Sequence, residues 1–238
     1  PAVVVQYPAW CPVALAVPGG MVVHDCLDLV AGFENVPQEM VELEKLLVRD
    51  ADLIVTSSAP LAEHVGRKSV IVRNGAEVQF FAQAARKEER DPDRAPLVGY
   101  FGAIAEWYEI DWVLDCARAR PEWQFQLVGD LTGFDRTKKA IPDNVMFTGE
   151  IPYAQLPERL RDFDVAIIPF KLTDLIRCTN PVKLYEYMAA GKPVVASAMP
   201  EVVNASDLVY IAANSAHFER QIALALKEDS AELRQRRK

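Results

Sequence analysis

Short, almost uninterrupted apolar runs separated by helical stretches are the feature that most narrows what this chain can fold into. The runs are Ala2–Val5, 21–24, 52–56, 69–72, 96–102, 123–128, 144–147, 164–169, 193–197 and 208–211. Most lack the polar–apolar alternation of a half-exposed sheet, so both of their faces must be covered, as happens in parallel sheets flanked by helices. Helices are expected over 9–16, 37–49, 107–118, 153–161, 181–190 and from 215 to about 226. In the second of these, Met40, Val41, Leu43, Leu46 and Leu47 mark one buried side. Ser57 or Ser58 suits the cap of a helix after the third run, because a side-chain oxygen there accepts a free backbone N–H. The fold class is α/β.

Composition shifts once. Arg86-Lys87-Glu88-Glu89-Arg90-Asp91-Pro92-Asp93-Arg94 carries no apolar side chain and reads as a linker over 86–95, between a domain at 1–85 and one at 96–238. No apolar run approaches the ~18 residues that span a bilayer, and Pro1-Ala2-Val3-Val4-Val5 has no signal-peptide pattern. Four cysteines, Cys11, Cys26, Cys116 and Cys178, form no metal-ligand spacing, so a reduced, cytoplasmic protein without a metal is expected. A net charge of −8 speaks against nucleic-acid partners. The basic tail Arg234-Gln235-Arg236-Arg237-Lys238 is either a solvated helix end or a peripheral contact with the inner face of a membrane.

Ligands in doubly wound sheets sit beyond the carboxyl ends of the strands. Three loops leave strands in that direction. Gly99-Tyr100-Phe101-Gly102-Ala103 offers close backbone approach to a phosphate, and Gly129 is a further nucleotide-sugar candidate. Gly149-Glu150-Ile151-Pro152 offers exposed backbone and an apolar side chain to a base. The third segment, Thr179-Asn180-Pro181-Val182-Lys183, opens a helix, with Asn180 as cap, Pro181 in the first helical position and Gly191 at the far end. Lys183 is out of place there, because a cation opposes the positive end of the helix dipole. A bound anion would reverse that penalty. Glu186 lies one turn on, on the same face, where it either receives a ligand or pairs with Lys183. Arg177 and Lys171 are further candidates for phosphate.

Glu186-Tyr187-Met188-Ala189-Ala190-Gly191-Lys192-Pro193-Val194-Val195 resembles the C-terminal signature of GT-B glycosyltransferases, in particular the retaining family four, or glycosyl transferases group 1. Val70-Ile71-Val72-Arg73-Asn74-Gly75 and Val98-Gly99-Tyr100-Phe101-Gly102 resemble further landmarks in the same order, as do Phe125-Gln126-Leu127-Val128-Gly129-Asp130 and Val22-Val23-His24-Asp25. The resemblance implies two Rossmann-like domains, the N-terminal one incomplete, in a chain lacking the ends of a larger polypeptide. It also implies transfer of a sugar from a nucleoside-diphosphate sugar to a saccharide or lipid-linked saccharide, with no cofactor beyond that donor. Glu186 would then accept from the ribose hydroxyls, while the amides at Val182 and Lys183 hold the diphosphate.

His24, at a strand end, is expected to touch the sugar or acceptor, with Asp25 and Asp28 as bases or caps. Eight positions before Glu186, where the family carries a second Glu, stands Cys178, read as a packed thiol. A sugar-nucleotide epimerase and a non-catalytic nucleotide-binding module are the competing readings.

Overall fold

The computed structural model describes residues 1–85, 91, 93–131 and 133–238. Two compact units emerge, Pro1–Asn74 with Leu172–Asn180, and Gly75–Lys171 with Pro181–Lys238. They part between Asn74 and Gly75, ahead of the charged stretch, of which residues 86–90 and 92 lie outside those described.

The first unit holds strands β1 (Ala2–Val5), β2 (Met21–Cys26), β3 (Leu53–Thr56) and β4 (Val70–Ile71). They form one parallel sheet in the order β1-β2-β3-β4. Its helices are α1 (Cys11–Leu15), α2 (Gln38–Asp50) and α3 (Ala59–Val65). Leu47 of α2 packs with Val5 and Val22, and Leu43 and Leu46 lie against the same cluster, as their spacing requires. Ser58 caps α3, accepting from the Leu61 N–H at 3.1 Å.

The second unit begins with α4 (Val78–Ala82) and continues with β5 (Leu97–Phe101), α5 (Ile110–Ala119), β6 (Gln124–Val128), β7 (Val145–Gly149), α6 (Leu156–Asp162) and β8 (Val165–Ile168). After α7 (Asp174–Cys178), which belongs to the first unit, come α8 (Val182–Ala189), β9 (Val194–Ser197), α9 (Pro200–Val203), β10 (Tyr210–Ala212), α10 (Ser215–Glu228) and α11 (Ala231–Arg237). The six parallel strands run β10-β9-β8-β5-β6-β7. Strand order therefore reverses between β5 and β8, the place where such sheets leave a crevice. All four residues of β8 are fully buried, as expected of a strand covered on both faces.

Three expectations need correction. The helix expected at 107–118 starts only at Ile110, because Tyr108 pairs with Phe170 in an isolated bridge and the Glu109 N–H donates to the Pro169 carbonyl at 2.7 Å. The expected loop 171–180 contains α7, capped by the Thr173 hydroxyl. The tail is not a freely solvated helix end: Arg237 is buried on α11 and pairs with Asp229 at 2.8 Å, as does Arg234. Among the described residues no helix is long and apolar enough to cross a membrane.

Candidate functional site

Three strand exits of the second unit lie side by side because their glycines permit it. The Gly102 N–H donates to the Val128 carbonyl at 2.8 Å, and the Gly129 N–H to the Gly149 carbonyl at 2.9 Å. Gly102 has φ +130° and Gly129 φ +142°, a region side-chain-bearing residues rarely adopt. A Cβ on Gly129 would also overlap the Gly102 carbonyl, so the β5 and β6 exits are locked together without room for a side chain. Gly149 has φ +72°, with open space where its Cβ would stand. Glu150 beyond it is exposed and Ile151 half-buried.

Helix α8 is tied to β5 by Tyr187, whose hydroxyl oxygen accepts the Phe101 N–H at 3.0 Å. That bond carries the opening turn of α8 to the β5 exit. The turn has no side-chain cap: Pro181 is the N-cap residue and lacks an N–H, and Leu184 donates to its carbonyl at 3.1 Å. Val182 and Lys183 are the next amides, in the turn where a helix has no partners of its own to offer. Asn180 is not the cap that its type suggested. Its side-chain oxygen instead accepts the Asn74 N–H at 3.0 Å, and its carbonyl accepts from the Asn74 side-chain amide at 2.6 Å, both within the first unit.

Lys183 lies against Gly102, its stem occupying the space a side chain there would need. The ammonium stands 5.7 Å from the ring centroid of the buried Tyr100, a cation–π distance. The Tyr100 hydroxyl in turn donates to the Ala103 carbonyl at 2.9 Å. Burial pulls the Lys183 ammonium below the usual lysine range, and attraction to Glu186 opposes the shift. Burial raises the Glu186 carboxyl, and Lys183 opposes that too. The two make no ion pair within 4 Å among the described residues, so the surface salt bridge that their spacing allowed does not form. Glu186 lies close enough to the β7 exit to raise the Tyr153 phenol, behind the larger effects of burial and Glu77.

The second unit thus gathers Gly102, Ala103, Gly129, Gly149, Glu150, Ile151, Val182, Lys183 and Glu186 at one end of its sheet. Of the remaining candidates, His24, Arg177, Thr179 and Asn180 belong to the first unit, and Lys171 and Pro181 to the second. Arg177 is exposed on α7, and the Thr179 hydroxyl donates to the Leu175 carbonyl at 2.9 Å. Lys171 spends its ammonium on the Glu106 carbonyl at 2.7 Å. Cys178 is buried, and desolvation first, then Asp174 and Asp28, push its thiol up, as befits a packed cysteine rather than a nucleophile.

His24 departs from expectation. It is 1% exposed, its side chain enclosed beside β1 with Nδ1 3.2 Å from the Val5 carbonyl, so it presents no surface to a sugar. Asp25 accepts from the Gln6 side chain at 2.8 Å. Sequence reasoning passed over Tyr100 and Tyr187. Both lie inside motifs already singled out, but the tie of Tyr187 to Phe101 depends on where β5 falls.

A family model described as Glycosyl transferases group 1 matches residues 95–228. Over 205 residues the chain is 31% identical to TuaH of Bacillus subtilis (strain 168), which is named as a teichuronic acid biosynthesis glycosyltransferase. That match takes in 75% of this chain and 51% of TuaH, so the chain spans about half the length of its curated relative. Sucrose-phosphate synthase from Thermosynechococcus elongatus is similar in fold, with a TM-score of 0.77 at 17% identity over 100% of this chain and 68% of that one. HepE of Anabaena, in complex with UDP and glucose, gives 0.71 at 18% identity over 98% of this chain and 70% of its own. The family match, on two parallel-sheet units of the kind that GT-B glycosyltransferases share, makes this chain a member of the glycosyl transferases group 1 family.

Proposed function

We propose that the chain contributes the donor side of a glycosyltransferase that moves a sugar from a nucleoside-diphosphate sugar to a saccharide or lipid-linked saccharide. The observation that carries this reading is Lys183: a desolvated ammonium in the uncapped first turn of a helix, with no carboxylate within 4 Å among the described residues. A diphosphate is the ligand such a place lacks. It would accept from the amides of Val182 and Lys183 and from the ammonium, and favour the charged form of the lysine that burial disfavours.

In this proposal Glu186, one turn along, accepts from the ribose hydroxyls. Gly149, Glu150 and Ile151 face the base. The exits at Gly102, Ala103 and Gly129 lie near the sugar and phosphates, and Pro181 opens α8; Arg177, Thr179 and Asn180 precede it in the chain and belong to the first unit. The leaving diphosphate gains charge as the glycosidic bond breaks, and fixed amides with Lys183 stabilise that charge without reorganising. Retention of configuration belongs to the same reading. That HepE was seen with UDP makes UDP the first nucleotide to try, and the name of TuaH supports a saccharide acceptor. A lipid-linked acceptor would bring the protein to the inner face of the membrane. Arg234 and Arg237, held by Asp229, are not assigned to that contact.

Calorimetric titration of the full chain with UDP, GDP, ADP, the matching nucleosides and the diphosphate sugars tests the proposal. One diphosphate nucleotide should bind, and Lys183→Ala should weaken it by about 10- to 100-fold, as expected for loss of charge-assisted hydrogen bonds, while the nucleoside loses far less. Equal losses for nucleotide and nucleoside would remove the assignment of Lys183. No binding by any member would remove the donor site altogether.

A further inference from the structure

We propose that His24, Cys26 and Glu44 form a binding site for a zinc-like divalent cation, clasping strand β2 to helix α2. Val22, His24 and Cys26 alternate along β2 and share its buried face, at 5%, 1% and 2% exposure. Helix α2 covers that face, since Leu47 packs with Val22. Glu44, three residues before Leu47, lies on the same side of α2. One ligand atom from each of His24, Cys26 and Glu44 falls within 4.8 Å of the others.

The histidine supplies the independent observation. Its Nδ1 lies 3.2 Å from the Val5 carbonyl, which can only accept, so the ring proton is on Nδ1 and the lone pair is on Nε2. Nε2 is buried and has no hydrogen-bond partner. An imidazole fixed by an Nδ1–H bond to a backbone carbonyl, with Nε2 unclaimed, is how metal-ligating histidines are held. A buried acceptor left unmatched is costly unless something else takes it.

The thiol of Cys26 is 3.7 Å from a Glu44 carboxylate oxygen and equally far from the Asp28 carbonyl, two weak contacts that leave the imidazole unserved. Thr56, the register partner of Cys26 on β3, also leaves its buried hydroxyl oxygen without a partner. A set of one imidazole nitrogen, one thiolate and one carboxylate suits zinc and its neighbours, and poorly suits calcium or magnesium. Binding forms a metal–sulfur bond as the Cys26 thiol proton leaves to solvent. The fourth position falls to an oxygen such as the Asp28 carbonyl.

Cobalt(II) is the probe, since a thiolate ligand announces itself by a sulfur-to-cobalt charge-transfer band. Dialysed against cobalt, the full chain should retain one ion with that band, and one equivalent of zinc should abolish it. Cys26→Ser should lose the band, and Glu44→Gln should weaken cobalt binding by about tenfold or more, with circular dichroism unchanged in both. Absence of retained cobalt, or a band that persists in Cys26→Ser, overturns the proposal. Should Cys26→Ser not fold, Glu44→Gln decides, and unchanged cobalt affinity there overturns it as well.

Discussion

Lys183 and Glu186 show what two residues gain from being desolvated without being paired. Burial moves the lysine down and the carboxyl up, so each charged form is less secure than in water. In the proposed donor site, nucleotide binding needs both charged. A bound diphosphate holds the ammonium proton more firmly than the free protein does, so binding takes up a proton once the pH exceeds the lowered pKa of free Lys183. Affinity must then fall as pH rises through that lowered value, before the ordinary lysine range. On the acid side it must fall as pH drops through the raised pKa of Glu186. Calorimetry across pH should give a bell, with Lys183→Ala removing the alkaline limb and Glu186→Gln the acid one. A flat profile in the unaltered chain would contradict this account of the pair.

Elements α7 and α3 show how a short segment can be claimed by a unit distant in sequence. Helix α7 has five residues, below the length at which helix formation sustains itself. It stands because it is docked: the Ser58 hydroxyl donates to the Cys178 carbonyl, and Asn74 and Asn180 exchange two hydrogen bonds. Ser58 also caps α3, so one hydroxyl closes two helix ends. Ser58→Ala should cost about 1–2 kcal/mol, read as a shifted midpoint in urea. A cost near zero would mean that α7 docks through its apolar residues alone. Thr173 before Asp174 is a legible cap, yet five residues between turn signals look like loop.

At the scale of the whole chain, the C-terminal basic cluster is a structural device. Arg237 reaches Asp229 at 2.8 Å and the carbonyl of Gly191, the residue that ends α8, at 3.4 Å. Arg237→Ala should therefore destabilise the protein by about 1–3 kcal/mol, with Arg234 still holding Asp229, and leave binding to anionic vesicles unchanged. A thermal melt and a vesicle flotation assay report the two halves of that expectation. Loss of vesicle binding without loss of stability would return the tail to a membrane role.

Period and punctuation alone determined the α/β class, most of the parallel strands and the helix that opens at Pro181. Those depend on local rules, namely which faces need cover and where glycine and proline end an element. The family signature was equally local, because it lies in consecutive residues of one helix and the strand after it. Only the tertiary structure decided that strand order reverses between β5 and β8, that Asn180 serves Asn74 rather than its own helix, and that His24 faces Val5 and α2 instead of solvent. In each case the partner lies far along the chain, and a residue's type does not say which of several satisfactory partners packing will bring within reach.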